Sequence, residues 1–383
     1  MKVLYDSQAF NMQKFGGVSK CFCELIAHLP QNVQWEIGIK ECNNVHLHDT
    51  IMPHLPYPQH IDFERFICRK SFRGKGRLFA AANKYIPYFH STEGINQRYT
   101  IELLKRGDFD VFHPTFFDDY YLPYLKGKPF VLTIHDMTPE LFPQYFKKNN
   151  SQIVLKRKLA TKASAIIAVS ESTKNDIVNI LGIPEEKITV IYHDGPEGKQ
   201  VKDPPVVTDP YVLYVGDRRA YKNFFALLDG FALFHRQRTD VRLVCTGQPF
   251  SQSETERIQF LHLADSITQI KASDKTLANL YAHAMAFIYP SLYEGFGMPI
   301  LEAYAYGCPV ILNKRSCFPE IAGDAAIYFD TNKDGIPIAE SLTFAANLSS
   351  EQRQQLIALQ RKQLHKYSWQ RSSLQLSKLY ASL

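Results

Sequence analysis

Short apolar runs separated by longer amphipathic stretches recur along the whole chain. Val3-Leu4-Tyr5, FDVFH at 109–113, PFVLTI at 129–134 and AIIAVS at 165–170 punctuate the first half. After Pro210 the pattern repeats with YVLYVG, VRLVCTG, ITQI, AFIYP and PVIL. Near-continuous apolar runs of this length suit strands covered by helices on both faces, and stretches of helical length lie between them. The alternation predicts an α/β protein with parallel sheets. The pattern breaks once, over His193–Pro210, where HDGPEGKQVKDPPVVTDP is rich in Pro, Gly and Asp and poor in large apolar residues. That is a linker composition. At 383 residues the chain exceeds one ordinary core. An N-terminal domain is therefore expected at 1–193 and a C-terminal domain at 205–366.

Composition adds mainly exclusions. No apolar run is long enough to span a bilayer, and the N-terminus begins directly in a strand pattern instead of a signal peptide. Seven cysteines, an odd number with no pair spaced like a zinc site, point to a reducing, cytoplasmic setting. Cys21 and Cys23 read as buried helix residues. The net charge of +6 is unevenly placed. Arg65–Lys84 carries seven Lys or Arg residues and no acid, interleaved with Phe66, Ile67, Phe72, Leu78 and Phe79. A second basic run includes Lys147, Lys148, Lys156, Arg157, Lys158 and Lys162. Both read either as solvated helix faces or, for Arg65–Lys84 above all, as a surface for anionic lipid headgroups and a peripheral position on the inner membrane face. No nucleic-acid motif accompanies the charge, so nucleic acid is not an expected partner.

The densest chemical signal is Pro290–Pro309, PSLYEGFGMPILEAYAYGCP. It reads as a strand end, a glycine-spaced loop, a short helix and the next strand. Pro299 suits the first helical turn and Gly307 a helix C-terminus. Gly295, Phe296 and Gly297 would then present backbone N–H groups at a helix start, an anion site. Glu294 stands on the loop and Glu302 about one turn into the helix, so one carboxylate reaches a sugar and the other the ribose of one nucleotide. Gly216 closes a strand and is followed by Arg218, Arg219 and Lys222, cations placed for a diphosphate. Asn223 reads as a helix N-cap, and so does Ser170 in SESTKND. His135 and Asp136 end the strand Phe130–Ile134, and His113 ends another. Phe15-Gly16-Gly17-Val18 is a tight turn between a strand and a helix starting near Ser19.

Taken together, the segments Phe15–Lys20, Thr133–Asp136, Val215–Asn223 and Pro290–Pro309 resemble, in order and spacing, the motifs of the retaining family-four glycosyltransferases. The block GDRRAYKNF is most similar to that of bacterial mannosyltransferases building O-antigen or capsule chains. The resemblance implies the GT-B fold, two facing Rossmann-like domains around a cleft, with the final helix, 367–383, returning to the first domain. It implies a nucleotide-sugar donor and a saccharide acceptor, and the basic stretch Arg65–Lys84 suits an acceptor linked to a lipid diphosphate. Glu294, Arg218, Lys222 and His135 would be the reacting-centre residues. Gly16, Gly17, Gly216, Ile270, Lys271, Gly295, Phe296, Gly297 and Glu302 would hold the donor, and His113 and Asp136 would stand on the acceptor side. Arg218 takes the arginine role because Asp217 occupies the usual position. No cofactor and no metal is expected, since the cations replace one. GDP-mannose leads as donor. UDP-glucose, UDP-galactose and UDP-GlcNAc stay open, as do a same-fold epimerase and a non-catalytic nucleotide-sugar-binding subunit.

Overall fold

The structure is a computed structural model that describes residues 1–58, 72–85, 91–148, 150–198, 200–331 and 333–383, with backbone alone over 83–85. Twelve strands are assigned among these. In the N-terminal half they are β1 (Lys2–Tyr5), β2 (Gln34–Ile37), β3 (Val111–His113), β4 (Val131–Ile134), β5 (Ala165–Ala168) and β6 (Ile188–Val190). The second half contributes β7 (Tyr211–Tyr214), β8 (Arg242–Thr246), β9 (Ile267–Ile270), β10 (Ala286–Tyr289), β11 (Val310–Asn313) and β12 (Ile327–Phe329). All pairings are parallel. The sheets run β2-β1-β3 and β4-β5-β6, joined by a parallel Phe112–Phe130 bridge, and β12-β11-β10-β7-β8-β9. Counted from β7 the last is order 3-2-1-4-5-6, the dinucleotide-fold order whose switch point lies between β7 and β10.

Strand periodicity divides the interior. Val3 and Tyr5 of β1, Val131 of β4 and Ile167 of β5 pack on one face, while Leu4, Leu132, Ile134, Ile166 and Ala168 pack on the other. In the second sheet Tyr211, Leu213, Phe287 and Tyr289 face away from Val212, Tyr214, Ala286 and Ile288 in the same way. The inner strands β1, β4, β5, β7 and β10 therefore bury both faces, which is why their runs read as unbroken apolar segments. The helix Trp369–Ala381 lies on the N-terminal core through Trp369, Leu376 and Tyr380. It is fastened by Ser373 Oγ donating to Leu25 O at 2.8 Å and Ser372 Oγ donating to Tyr192 O at 2.6 Å. The linker hugs the helix Met298–Ala305. A Cβ on Gly195 would stand 2.8 Å from Leu301 Cβ, and one on Gly198 would stand 2.0 Å from Ala305 O.

The charge runs fare differently. Lys156, in the second run, is buried, paired with Glu140 at 2.9 Å and donating to Asp136 O at 2.9 Å. It is an interior ion pair beneath the β4 end, not part of a solvated face. The first part of Arg65–Lys84, residues 65–71, lies outside the described residues. Within the helix Lys75–Tyr85 and its approach, Phe72, Arg73, Arg77 and Leu78 are exposed while Lys75 is buried. Among the described residues no helix is long and apolar enough to cross a membrane.

Candidate active site

Loops at the C-terminal ends of both sheets meet at one seam. The loop after β10 ends at Gly297, whose φ of 87° only glycine adopts freely, and the helix Met298–Ala305 follows with Pro299 in its first turn. Gly307, at φ 67°, closes that helix. Gly295 has a different reason to be glycine: a Cβ there would lie 1.7 Å from His135 O and 3.2 Å from Asp136 Cβ. Its own carbonyl accepts from Ser170 Oγ at 2.6 Å and Thr173 Oγ1 at 3.2 Å. Ser170 also caps the helix Glu171–Asp176 by accepting from Thr173 N. Tyr293 is buried in the N-terminal core, donating to Asp176 Oδ2 at 2.6 Å and accepting from Met137 N at 3.2 Å. Gly17 sits 2.7 Å, by its would-be Cβ, from Met298 Cε. The glycine loop is thus pressed onto the N-terminal domain by close backbone approach.

On the C-terminal side, Lys222 and Glu294 form a largely buried ion pair, Nζ to Oε1 2.6 Å and to Oε2 2.8 Å. Burial is the largest single influence on the Lys222 pKa and lowers it, but the charge and hydrogen bond of Glu294 together with Tyr221 and Asp217 turn the net shift upward. Glu302 is shielded too. Its Oε2 accepts from Tyr281 OH at 3.3 Å and its Oε1 lies 3.7 Å from Lys20 Nζ of the opposite domain. Burial raises the Glu302 pKa against the pull of Lys20. Gly216, at φ 121°, and Gly247 touch backbone to backbone, a Cβ on Gly247 falling 2.6 Å from Gly216 O. Ile270 ends β9 and Lys271 beyond it is exposed.

Two expected site residues are placed elsewhere. The Arg218 side chain is 5% exposed, with Nε donating to Glu254 at 2.9 Å and Nη2 to Gln248 O and Pro249 O. It sits over the Phe250 ring and braces the β8 loop, so its donors are spent. Arg219 is the exposed guanidinium, paired with Asp217 and feeling the Asp136 charge across the seam. His113 is interior, with Nδ1 2.6 Å from Tyr380 OH and Nε2 2.8 Å from Thr133 Oγ1, so both nitrogens are used structurally. Asn223 precedes the helix Phe224–His235 but adopts φ 57° and makes no side-chain cap.

His135 stands on the N-terminal side of the seam with its Nε2 buried and, among the described residues, without a hydrogen-bond partner. Asp136 beside it accepts from Thr138 N at 2.9 Å. Burial pushes the His113, His135 and His193 pKa values down to about 3, 4 and 3. A base depressed in the folded state contributes stability above its unfolded pKa of ~6.5, and that contribution is lost as pH falls below it. Burial raises Asp6, Asp176, Asp194 and Glu302, which act with the opposite slope. At pH 5 the His113 share is about 2 kcal/mol. Thermal melts should therefore show a smaller loss of stability between pH 7 and pH 5 in His113→Gln than in the parent. Parallel pH slopes would show that His113 accepts a proton in place.

The structure adds site residues to which the sequence reading gave no such role: Lys20, Tyr293, Asp176, His193 and Cys21. Lys20 closes the Phe15–Lys20 segment and could have been suspected. Nothing local to the others announces their partners: Tyr293 and Asp176 are 117 residues apart, and Cys21 and His193 are 172 apart.

Residues 198–363 match the model for glycosyl transferases group 1, and residues 45–193 match that for glycosyltransferase family 4. The chain belongs to glycosyltransferase family 4. Curated relatives of this family-four chain include O-antigen chain mannosyltransferase B of Escherichia coli, 28% identical over 231 residues, covering 56% of this chain and 60% of the relative. Another is O-antigen chain mannosyltransferase RfbU of Salmonella typhimurium, 26% identical over 214 residues, covering 56% and 59%. The matched region thus spans about three fifths of each relative's length. Among solved structures, Anabaena HepE with UDP and glucose aligns over 100% of both chains with a TM-score of 0.72 at 17% identity. Sucrose-phosphate synthase of Thermosynechococcus elongatus gives 0.68 at 18%, over 100% of this chain and 98% of the other. These likenesses establish the GT-B fold that the motifs implied.

Proposed function

We propose that this chain is a retaining glycosyltransferase that moves a hexose, mannose from GDP-mannose in the first instance, to a saccharide hydroxyl in surface-polysaccharide synthesis. The observation that carries the reading is the buried Lys222–Glu294 pair, 2.6 Å apart, one residue from the Gly295 backbone that packs on His135. The two groups answer the two halves of a nucleotide-sugar. Lys222 and, in place of Arg218, Arg219 stabilise the departing diphosphate, with the Gly295–Gly297 and Gly16–Gly17 amides adding donors. Glu294 accepts from sugar hydroxyls, Glu302 exchanges Lys20 for the ribose diol, and the backbone at Ile270 and Lys271 meets the base. His135 and Asp136 line the sugar and acceptor side. Retention follows from attack on the same face, with the leaving phosphate taking the acceptor proton. The cations serve where other transferases use a metal.

The mannosyltransferase names of the relatives support mannose over the UDP-sugars. The exposed Phe72, Arg73, Arg77 and Leu78 support an anionic membrane surface near a lipid-diphosphate-linked acceptor. The test is a comparison of ligand-induced melting shifts with GDP, UDP, ADP and dTDP, followed by calorimetry on Glu302→Ala. GDP should give the largest shift. Glu302→Ala should bind it ~10–100-fold more weakly, because the diol loses a charge-assisted acceptor. A variant that binds as the parent does would make Glu302 a Lys20 partner only.

A further inference from the structure

Cys21, His135 and His193 come from three separate segments: the helix Gly17–Ala27, the residue after β4 and the residues after β6. The Cys21 sulfur and one ring nitrogen of each imidazole lie within 4.8 Å of one another, and Sγ is 3.3 Å from His193 Nδ1. One thiol and two imidazoles form a borderline-soft donor set that suits Zn²⁺ and its neighbours, and three protein ligands leave a fourth position open. Zinc bonds of ~2.3 Å to sulfur and ~2.0 Å to nitrogen place tetrahedral ligands ~3.3–3.6 Å apart. The Cys21–His193 pair is already at that separation, and about 1 Å of imidazole movement closes the longest gap. The buried His135 Nε2, which has no hydrogen-bond partner among the described residues, adds to the case, because buried polar atoms are rarely left without one.

We propose that Cys21, His135 and His193 form a site for a thiophilic divalent cation, Zn²⁺ first, and that its occupancy switches transfer off by drawing His135 into coordination. As the sulfur–metal bond forms, the Cys21 thiol gives up its proton to solvent, so one proton is released per ion bound. The imidazoles donate lone pairs, and no oxidant or reductant is involved. Ion binding stands on the three side chains alone. The off-switch rests on the place of His135 in the proposed reaction. Movement at the site also reaches the glycine loop, since the His193 ring lies 4.9 Å from that of Phe296.

The test is anaerobic titration of the full chain with Co²⁺, followed by displacement with Zn²⁺. The parent should show a thiolate-to-cobalt charge-transfer band in the near ultraviolet that saturates at one ion per chain. Cys21→Ala should lose that band and bind more weakly by at least the ~10–100-fold that even outer-shell changes cost. Cys245→Ala, altered in the other sheet, should keep the band. Cys21→Ser serves if the alanine variant fails to fold. In the transfer assay Zn²⁺ should inhibit the parent, EDTA should restore it, and Cys21→Ala should resist the same concentration. Co²⁺ binding with no thiolate band, or a band that survives Cys21→Ala, would overturn the site. A band without Zn²⁺ inhibition would overturn the off-switch while leaving the site. The absorption readout decides the site even if the chain transfers no sugar.

Discussion

Lys222→Ala should lower turnover by about 10²–10³-fold, the range seen when one pre-organised donor to a developing negative charge is removed. Charge on the leaving diphosphate grows toward the transition state, so the loss should fall mainly on kcat, with the donor KM changing far less. The same change leaves the Glu294 carboxylate without its cationic partner in a largely buried position. Breaking such a pair by removing one partner costs about 3–5 kcal/mol, so the variant should also melt earlier. Pairing it with Glu294→Gln separates the effects, because the double variant removes the stranded charge and should recover stability without recovering turnover. Steady-state kinetics and melting on the three variants are the measurements. A loss confined to KM would reduce Lys222 to a docking contact for the ground-state diphosphate.

Gly295→Ala should be nearly as severe, for a steric reason. A methyl at this position would lie 1.7 Å from His135 O and 2.8 Å from its carbonyl carbon, both backbone atoms with no side-chain rotation to relieve them. Either the loop or the β4 end must move by more than 1 Å. Misplacing a catalytic constellation by ~1 Å costs about 10²-fold in rate. The displaced loop also weakens the hydrogen bonds that Ser170 and Thr173 donate to the Gly295 carbonyl. Turnover and melting temperature should therefore fall together. Near-parent turnover in a folded Gly295→Ala would mean that the seam opens during the reaction and that the close approach has no part in it.

Much of the fold was legible because it is written in local periodicity. Runs such as Ala165–Ser170 and Tyr211–Gly216 bury both faces of a strand, so their apolar continuity reports their position directly. The motif from Pro290 to Pro309 was legible for a similar reason, since Pro299, Gly297 and Gly307 each answer a local backbone demand. Choosing between Arg218 and Arg219 was another matter. Neighbours after a turn point in different directions, and only the position of Glu254 on the helix Gln252–Phe260 decides which guanidinium is taken inward. His113 and His135 likewise end adjacent strands with identical local signals. The Tyr380 hydroxyl, 267 residues away, claims the first, and nothing local to either histidine announces it. Lys156 looked like one basic residue among many until Glu140 and the Asp136 carbonyl were found around it.

Tyr293 belongs by sequence to the loop after β10 and by packing to the interior of the other half, where Asp176 and Met137 hold its hydroxyl. Recombination is therefore constrained here in a way that the linker composition hides. A chimaera cut within 193–210 and joined to a foreign N-terminal half would bring Tyr293 without its socket, and Gly295 without the matching carbonyl groove. Modular exchange of donor specificity in this scaffold requires that Tyr293–Gly297 and the residues around Asp136 and Ser170–Asp176 travel as one inherited unit.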